Sequence, residues 1–188
     1  VLTNMAVTKI DVLENGQFKI ILKNKKTIYA KSALLATGGN PSGRLIAKSL
    51  GHNVIKPVPS LFSFKVSSTW LTMCKGISIA NVGLKLIIGR KVFKEYGDIL
   101  ITHWGISGPA ILKLSSFSAR DLNESNYNAR LYIRWVEDDI DKIKTRLIEF
   151  KQNFPNISLK KKYPYPKLPR KLWSSLLNIV NINPDIKF

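Results

Sequence analysis

The chain has 188 residues, 45% of them apolar, which suffices for one ordinary domain or two small ones and excludes a largely disordered protein. Its single cysteine, Cys74, excludes a disulfide framework and a cysteine-based zinc site, and no apolar run approaches the roughly 18–20 residues that cross a bilayer. Thirty Lys and Arg against twelve Asp and Glu give a net charge of +18, a value typical of proteins that bind nucleic acids or anionic surfaces.

The first third of the chain is predicted to form a β-meander followed by a strand, a glycine turn and a helix. The meander has three predicted strands, at 5–13, Phe18–Leu22 and Thr27–Ala30. Asn15-Gly16 is a strong hairpin signal between the first two. The unbroken apolar run 33–37 predicts a strand buried on both faces. The helix is predicted at 44–50, with Ser42 as its N-cap and Gly51 at its end.

The rest of the chain alternates between strand-like and helical patterns. Strands are predicted at 60–68, 77–88, 98–103 and 129–136. Helices are predicted from Ser107 to about 118, at 139–152, and from 168 onward. Between the last two, 160–166 is predicted to be a basic linker in which two prolines exclude regular structure. This order of elements predicts an α/β (α+β) fold.

The run Ala36-Thr37-Gly38-Gly39 ends the predicted buried strand. Glycines here let a backbone approach a ligand closely, and the helix that follows offers free N–H groups to an anion. The same pattern also suits a tight turn with no ligand. The spacing of Gly38 and Gly43 matches a P-loop, but Arg44 and Leu45 stand where its Lys and its Ser or Thr are needed, which excludes that class. No Gly-x-Gly-x-x-Gly occurs in the chain, so a dinucleotide's pyrophosphate would need residues outside it.

A second motif, 102–109 (Thr-His-Trp-Gly-Ile-Ser-Gly-Pro), places a histidine, a hydroxyl and two glycines at a predicted strand-to-helix junction. Its Gly105-x-Ser107 segment resembles a nucleophile elbow, but Pro109 stands where the last glycine belongs and no acidic residue lies close in sequence to orient a base. We therefore interpret it as a rigid loop that presents His103, Ser107 and helix-end amides to a neighbouring site. The alternative is that Ser107 serves only as an N-cap and His103 only ends a strand.

The positive charge is spread along the chain. Residues 1–141 hold 19 basic and 10 acidic side chains and residues 142–188 hold 11 and 2, so each part carries +9. Twenty-three of the thirty basic residues are Lys, in a chain also rich in Ile and Asn, which is typical of an A+T-rich coding sequence. We therefore expect no nucleic-acid partner and keep a basic nucleic-acid-binding module as an alternative function. An aromatic and basic stripe on one surface would favour that alternative.

The two motifs occur in order with Gly51-His52, Pro59-Ser60-Leu61 and Leu168-Pro169. On these residues the chain resembles the BaiN-like (aminoacetone-oxidase-like) family of FAD-dependent oxidoreductases, also called YhiN-like flavoproteins. The Thr-His-x-Gly-Ile-Ser-Gly-Pro segment is the specific part of the resemblance, since Ala-Thr-Gly occurs in many flavoproteins. The resemblance covers about residues 1–180.

The resemblance implies a glutathione-reductase-type FAD domain into which a β-rich domain is inserted. It implies the middle part of the FAD-binding domain at 1–57, the inserted domain at 58–162, and the start of a small helical subdomain at 163–188. The family's Gly-x-Gly-x-x-Gly unit and its C-terminal flavin-site segment have no counterpart in this sequence. We therefore expect a central fragment of a longer oxidoreductase that by itself binds FAD weakly or not at all and is inactive.

The resemblance also implies roles for individual residues. Four would contact FAD: Val7, Thr37, Gly38 and Gly39. Two would be catalytic, as proton donor or anion hold: His103 and Ser107. Three would lie on the substrate side: Trp104, Gly105 and Gly108. The implied reaction is flavin-mediated hydride transfer with a small organic substrate, with NAD(P)H or oxygen as electron donor or acceptor, in the cytoplasm, with no metal and no membrane partner. A purely structural insertion domain is the further alternative.

Overall fold

The structure is a computed structural model that describes residues 1–188. The chain divides into two compact units, Val1–Pro57 and Val58–Phe188. Both combine helices with antiparallel sheet, in agreement with the predicted α/β (α+β) class. None of the helices has the length and apolar character that crossing a membrane requires.

The first unit is a three-stranded antiparallel meander followed by one helix. Its elements are β1 (Val7–Val12), β2 (Phe18–Leu22), β3 (Thr27–Ala30) and α1 (Pro41–Ser49). At the predicted hairpin, Asn15 Oδ1 accepts the N–H of Gln17, and Gly16 takes a φ of 78°, which favours glycine. The buried apolar side chains of this unit are Ile10, Leu22 and Ile46.

Helix α1 begins three residues earlier than predicted. Its N-cap is Asn40 and not Ser42, because Asn40 Oδ1 accepts the N–H of Ser42 at 2.9 Å. Pro41 occupies the first turn, where the missing N–H removes no helical hydrogen bond. The helix ends as predicted at Gly51, which takes a φ of 88°.

The strand predicted at 33–37 is wrong. These residues pair with no strand, and Leu34 is 91% exposed. A strand buried on both faces needs hydrogen-bonded neighbours at its edges and other elements on both faces. In the first unit the sheet ends with β3, and no other strand is present to pair with 33–37. Without a neighbouring strand, an apolar run cannot form the hydrogen bonds that make it part of a sheet.

The second unit is a five-stranded antiparallel sheet with helices packed on one face. Its strands are β4 (Phe64–Lys65), β5 (Ser78–Ile88), β6 (Lys91–Ile101), β7 (Gly105–Ser107) and β8 (Arg130–Arg134). Their order in the sheet is β4-β7-β6-β5-β8. Its helices are α2 (Thr69–Thr72), α3 (Pro109–Phe117), α4 (Ala119–Glu124), α5 (Ile140–Asn153) and α6 (Arg170–Ile179).

The long β5–β6 hairpin is the centre of this sheet. The sequence predicted β5 nearly to its bounds but only the last part of β6, and the strand predicted at 60–68 is reduced to β4. In β6, Val92 and Tyr96 lie exposed beside Lys94, whereas Phe93 and Glu95 are half-buried on the other side. Apolar and polar residues thus occur on both faces, which hides the two-residue period that marks a strand.

The core of the second unit lies between the sheet and its helices. Leu84 and Leu86 of β5 are buried, while Lys85 between them is exposed, as strand alternation requires. Ile111 of α3 and Leu172 of α6 are fully buried in the same cluster. The helices therefore cover one face of the sheet, and the face that carries Lys85 is open.

Candidate functional site

The glycine turn lies in an open groove of about 410 Å³ within the first unit. The groove is lined by 35–38, by Gly43, Arg44 and Ala47, and by 52–55. Gly38 has a φ of 59°, and a side chain added there would meet nothing within 4 Å. The backbone at Thr37-Gly38 is therefore open to the groove, which is compatible with a ligand-binding turn and with a turn that has no ligand.

Two contacts hold the turn against α1. A side chain at Gly43 would overlap Thr37 Oγ1, so glycine is required where the two segments cross. Arg44 Nη1 donates to the carbonyl oxygen of Gly39 at 2.9 Å. Because Asn40 takes the N–H of Ser42, the start of α1 offers fewer free donors to an anion than the sequence predicted.

The structure brings together only two of the four predicted FAD contacts. Thr37 and Gly38 line the groove, whereas Val7 and Gly39 do not. Val7 lies at the start of β1, paired with Leu22. The groove also includes His52, which the sequence analysis did not assign to a site. In the sequence, His52 stands out only as the residue directly after Gly51, the glycine that ends helix α1. The FAD contacts of these residues stay predictions.

A flavin dinucleotide needs donors for its pyrophosphate and a pocket for its ring. The groove offers the open edge at Thr37-Gly38 and the guanidinium of Arg44. The groove thus provides an accessible backbone segment and one guanidinium group. They do not form a ring pocket, because the groove is open along its length.

In the second unit, motif 102–109 forms a tight hairpin that leads into β7. Thr102 Oγ1 accepts the N–H of Gly105 at 3.1 Å, and the Thr102 N–H donates to the Gly105 carbonyl at 2.8 Å. His103 and Trp104 lie exposed at the tip, with their rings edge to face at 6.3 Å between centroids. The hairpin thus presents the imidazole to solvent, and the catalytic role of His103 stays a prediction.

Ser107 lies at the other end of β7. Its Oγ shares a hydrogen bond of 2.7 Å with Ser63 Oγ. The interpretation of Ser107 as the N-cap of α3 is wrong, because the N-cap is Gly108 and no side chain caps that helix. His103 and Ser107 share no hydrogen bond, so the structure does not join them as a nucleophile and its base.

Both glycines of the motif have a packing role. A side chain at Gly105 would overlap the carbonyl oxygen of Phe64 in β4. At Gly108 it would lie 2.7 Å from the Cα of Ile99. The glycines let β7 and the start of α3 approach their neighbours closely. Their place on the substrate side stays a prediction.

Sequence reasoning missed a cleft of about 450 Å³ beside Ser63. One wall is the segment 62–68, which contains β4, and the opposite wall includes Leu86, Leu122 and Leu131. Because β4 and β8 are the two edge strands of the sheet, the sheet curves until its edges approach each other across this cleft. Only the folded topology brings these walls together, so no local pattern in the sequence could have found the cleft.

The lining of this cleft is aromatic with polar groups at its side. The ring of Phe62 lies edge to face with those of Phe64 and Tyr127, each at 5.9 Å between centroids. Ser63 and Lys65 supply a hydroxyl and an ammonium group to the same wall. The cleft lining thus mixes aromatic and aliphatic side chains with about as much polar surface.

The titratable groups with displaced pKa values belong to neither motif. Burial, followed by the hydrogen bond to Asp138, raises the pKa of the Tyr165 hydroxyl. The backbone N–H of Tyr96 and then the ammonium of Lys113 lower the pKa of the Glu95 carboxyl. Tyr165 and Glu95 line neither the groove nor the cleft, so their pKa shifts do not mark a catalytic group there.

Comparison with known proteins decides the family. Residues 58–188, more than two-thirds of the chain, match the family described as "HI0933-like protein barrel and H2TH domain". The chain belongs to the HI0933-like family. This family consists of FAD-dependent oxidoreductases of the BaiN and YhiN type, which confirms the resemblance drawn from the motifs. The HI0933-like match includes motif 102–109 and the aromatic cleft.

Three curated relatives show how this HI0933-like chain compares with named proteins. The ribosomal RNA dihydrouridine synthase of Haemophilus influenzae is 31% identical over 129 residues, which cover 62% of this chain and 31% of that protein. The ribosomal RNA dihydrouridine synthase of Escherichia coli is 29% identical over 175 residues, covering 87% and 40%. The 3-dehydro-bile acid delta(4,6)-reductase of Clostridium scindens is 32% identical over 88 residues, covering 46% and 21%. The chain thus spans between about a fifth and two-fifths of these relatives.

Proposed function

We propose that this chain is part of an FAD-dependent HI0933-like reductase whose substrate is uridine in ribosomal RNA. The observation that carries the proposal is the match to the ribosomal RNA dihydrouridine synthase of Escherichia coli. It covers 87% of the chain and so includes both the glycine turn and motif 102–109. The net charge of +18 suits a polyanionic substrate, because the basic side chains would attract the phosphates of the RNA.

The reaction would add two hydrogen atoms across the C5=C6 bond of the uracil ring, as a hydride at C6 and a proton at C5. Bound FAD, once reduced with electrons from NAD(P)H, would supply the hydride. The C4 oxygen then carries the negative charge until C5 receives its proton. A donor to that oxygen and an acid near C5 lower the barrier. Side chains of this chain could therefore act as the donor to the C4 oxygen and as the acid that protonates C5.

His103 is the candidate acid and Ser107 the candidate donor. The exposed hairpin tip leaves the imidazole of His103 free to meet a substrate. The hydroxyls of Ser107 and Ser63 share one hydrogen bond, in which either can donate, so the pair has one further O–H that can donate to a carbonyl oxygen. The groove at Thr37-Gly38 would hold one edge of the cofactor in the first unit.

The 188-residue chain alone would bind FAD weakly or not at all, because it offers one edge for the cofactor and no ring pocket. Purified without further sequence, it is expected to be colourless. Visible flavin absorbance in that preparation would contradict this part of the proposal.

The proposed function is tested with the full-length protein, produced in a bacterial strain that lacks its own ribosomal RNA dihydrouridine synthase. We expect the ribosomal RNA to contain dihydrouridine, seen by mass spectrometry as a gain of two hydrogen atoms on one uridine. His103→Ala should lower turnover by roughly 10²- to 10⁴-fold with unchanged flavin content. Lys151→Ala, at an exposed position of α5 outside both motifs, the groove and the cleft, is the control and should remain active.

Two results would contradict the proposal. Unmodified ribosomal RNA in the complemented strain, from a protein that carries flavin, would exclude uridine as the substrate. Unchanged kinetics in His103→Ala would remove the catalytic role of the hairpin and favour a structural insertion domain.

A second candidate is the reduction of a small unsaturated ketone. The bile acid reductase relative and the aromatic cleft beside Ser63 favour it. Oxidation of NAD(P)H by the full-length protein in the presence of an unsaturated steroid ketone, with no activity on ribosomal RNA, would select this candidate.

A further inference from the structure

The face of the sheet that the helices leave open carries an ordered set of basic and aromatic side chains. Lys85 of β5 lies opposite Lys94 of β6 and, on its other side, opposite Tyr132 of β8. Arg130 and Arg134 stand on the same face as Tyr132, two residues away along β8 in either direction. We call these five residues, Lys85, Lys94, Arg130, Tyr132 and Arg134, the basic sheet face.

The basic sheet face is exposed and its charges are unpaired. All five residues are exposed, Tyr132 by 53% of its surface. None of its four cations makes an ion pair, whereas Lys91 and Lys113, which serve the helix-covered side, pair with Asp121 and Glu95. Asp121 and Glu95 thus neutralise cations on the covered side, whereas no ion pair neutralises the four cations of the basic sheet face.

The arrangement costs stability. Like charges directly opposite each other in an antiparallel pair are destabilising, and Lys85 and Lys94 form such a pair. Basic residues on an edge strand protect it from pairing with other chains, which accounts for Arg130 and Arg134 of β8. It does not account for two lysines on inner strands. A bound anion would relieve the repulsion between Lys85 and Lys94, and this relief would contribute to the affinity.

The aromatic ring in the middle of this face indicates which kind of anion fits. Lys85 Nζ lies over the Tyr132 ring, 5.9 Å from its centroid, and 53% of the Tyr132 surface remains exposed beside this cation. The Arg134 side chain lies across Gly83, with Nε 3.2 Å from where a Cβ at Gly83 would be. Rings and guanidinium planes next to cations are the elements that stack bases and hold phosphates of single strands.

Two acidic side chains, Glu137 and Asp98, lie next to one end of the basic sheet face. Tyr96 donates its hydroxyl proton to Glu137 Oε1 at 2.8 Å, and Asp98 Oδ1 accepts the N–H of Asn81 at 3.1 Å. These acidic groups lie toward one end of the β5–β6 hairpin, beyond Lys85 and Lys94. A polyanion would therefore follow the strands from the hairpin turn and be repelled at that end.

We propose that the basic sheet face binds a single-stranded segment of RNA, with Lys85, Lys94, Arg130 and Arg134 on phosphates and one base stacked on Tyr132. The inference rests on the proposed ribosomal RNA substrate and adds the surface that would hold it. It concerns binding by this chain alone and requires neither flavin nor catalysis.

The test measures RNA binding to the 188-residue chain by fluorescence anisotropy at a series of salt concentrations. The probe is a fluorescein-labelled single-stranded oligouridylate of about 12 nucleotides, a length within the range of single-strand site sizes. Lys85→Gln with Lys94→Gln should reduce the slope of log K against log salt by about 1.4, since each phosphate contact contributes about 0.7 on single strands. The matched control is Lys144→Gln with Lys151→Gln, two exposed lysines of α5 that make no ion pair. It removes the same charge and should leave the slope nearly unchanged.

A second pair of variants tests the stacked base. Tyr132→Ala should weaken binding roughly 5- to 100-fold at an unchanged salt slope, while Tyr132→Phe should bind as the parent chain does. Thermal unfolding of each variant checks the fold, and the lysine double variant should be no less stable than the parent because it removes a repulsion.

Three outcomes would overturn the inference. They are no binding of the RNA by the parent chain at low salt, an equal loss in the two lysine double variants, and self-association of the chain through this face in place of RNA binding. None of these affects the proposed reductase activity, which is read from dihydrouridine made by the full-length protein. Failure of that activity with intact RNA binding would leave the sheet-face inference standing.

Discussion

Two glycines of the second unit show how surroundings decide what a residue contributes. Gly108 has a φ of 102° and a ψ of 166°, a region that essentially only glycine adopts. A side chain there would also lie 2.7 Å from the Cα of Ile99. Gly89, in the β5–β6 turn, has a φ of 56° but open space around it. The first glycine is required by backbone and by packing, the second by backbone alone.

We therefore expect Gly108→Ala to lower the free energy of unfolding by about 3 kcal/mol or more, as the sum of backbone strain and overpacking. Gly89→Ala should cost about 1 kcal/mol, for the left-handed backbone only. Urea denaturation followed by circular dichroism measures both. Equal losses in the two variants would show that the close approach to Ile99 does not matter.

The sequence singled out motif 102–109 but did not predict the contacts of its residues. A glycine required by close packing and a glycine required by a ligand are identical in a sequence, so the packing contacts of Gly105 and Gly108 are visible only in the structure. The partner of Ser107 is Ser63, 44 residues earlier. No local pattern indicates a hydrogen bond across that separation, whereas the N-cap prediction for Ser107 was wrong because α3 begins one residue later, after Gly108.

Among the elements, helix α5 depends strongly on its first turn. Asp139 Oδ1 accepts the N–H of Lys142 at 2.9 Å, and this bond lowers the pKa of the Asp139 carboxyl. None of the residues of α5 is fully buried. Since α5 packs only through half-buried side chains such as Ile143, its capping interactions carry more of its stability than in a buried helix.

We expect Asp139→Ala to destabilise α5 and Asp139→Asn to retain most of the cap. Because the pKa of Asp139 is lower in the folded chain, the carboxylate stabilises the fold above the ordinary Asp pKa, and this contribution is lost as pH falls through the lowered value. The difference in melting temperature between the parent and Asp139→Ala should be largest near neutral pH and shrink in acid. A difference that does not change with pH would show that the charge plays no part.

The elements that sequence predicted well are those whose signals are local. The Asn15-Gly16 hairpin and the α5 helix follow from turn and capping chemistry within a few residues. The segment 33–37 failed because apolar content describes a buried strand only when partner strands exist beside it. The basic sheet face could not be predicted either, since it combines residues of three strands in register.

At the scale of the whole molecule, the two units differ in how much core they have. The buried cluster of the second unit extends from Leu71 to Leu172 and includes strands and helices. The first unit buries only Ile10, Leu22 and Ile46 among its apolar side chains. A unit of this size with so little buried apolar area is of marginal stability.

We therefore expect the first unit to open before the second. In hydrogen exchange of the intact 188-residue chain, amides of β1–β3 should exchange through local opening, at rates well above those of the β5–β6 hairpin. Trypsin at low concentration should cut first among the exposed Lys23, Lys25 and Lys26 and leave a resistant product that contains 58–188. Residues 58–188 produced separately should unfold cooperatively, because their core is complete within that range. Equal protection of both sheets would show instead that the first unit is stabilised by more than its own three buried side chains.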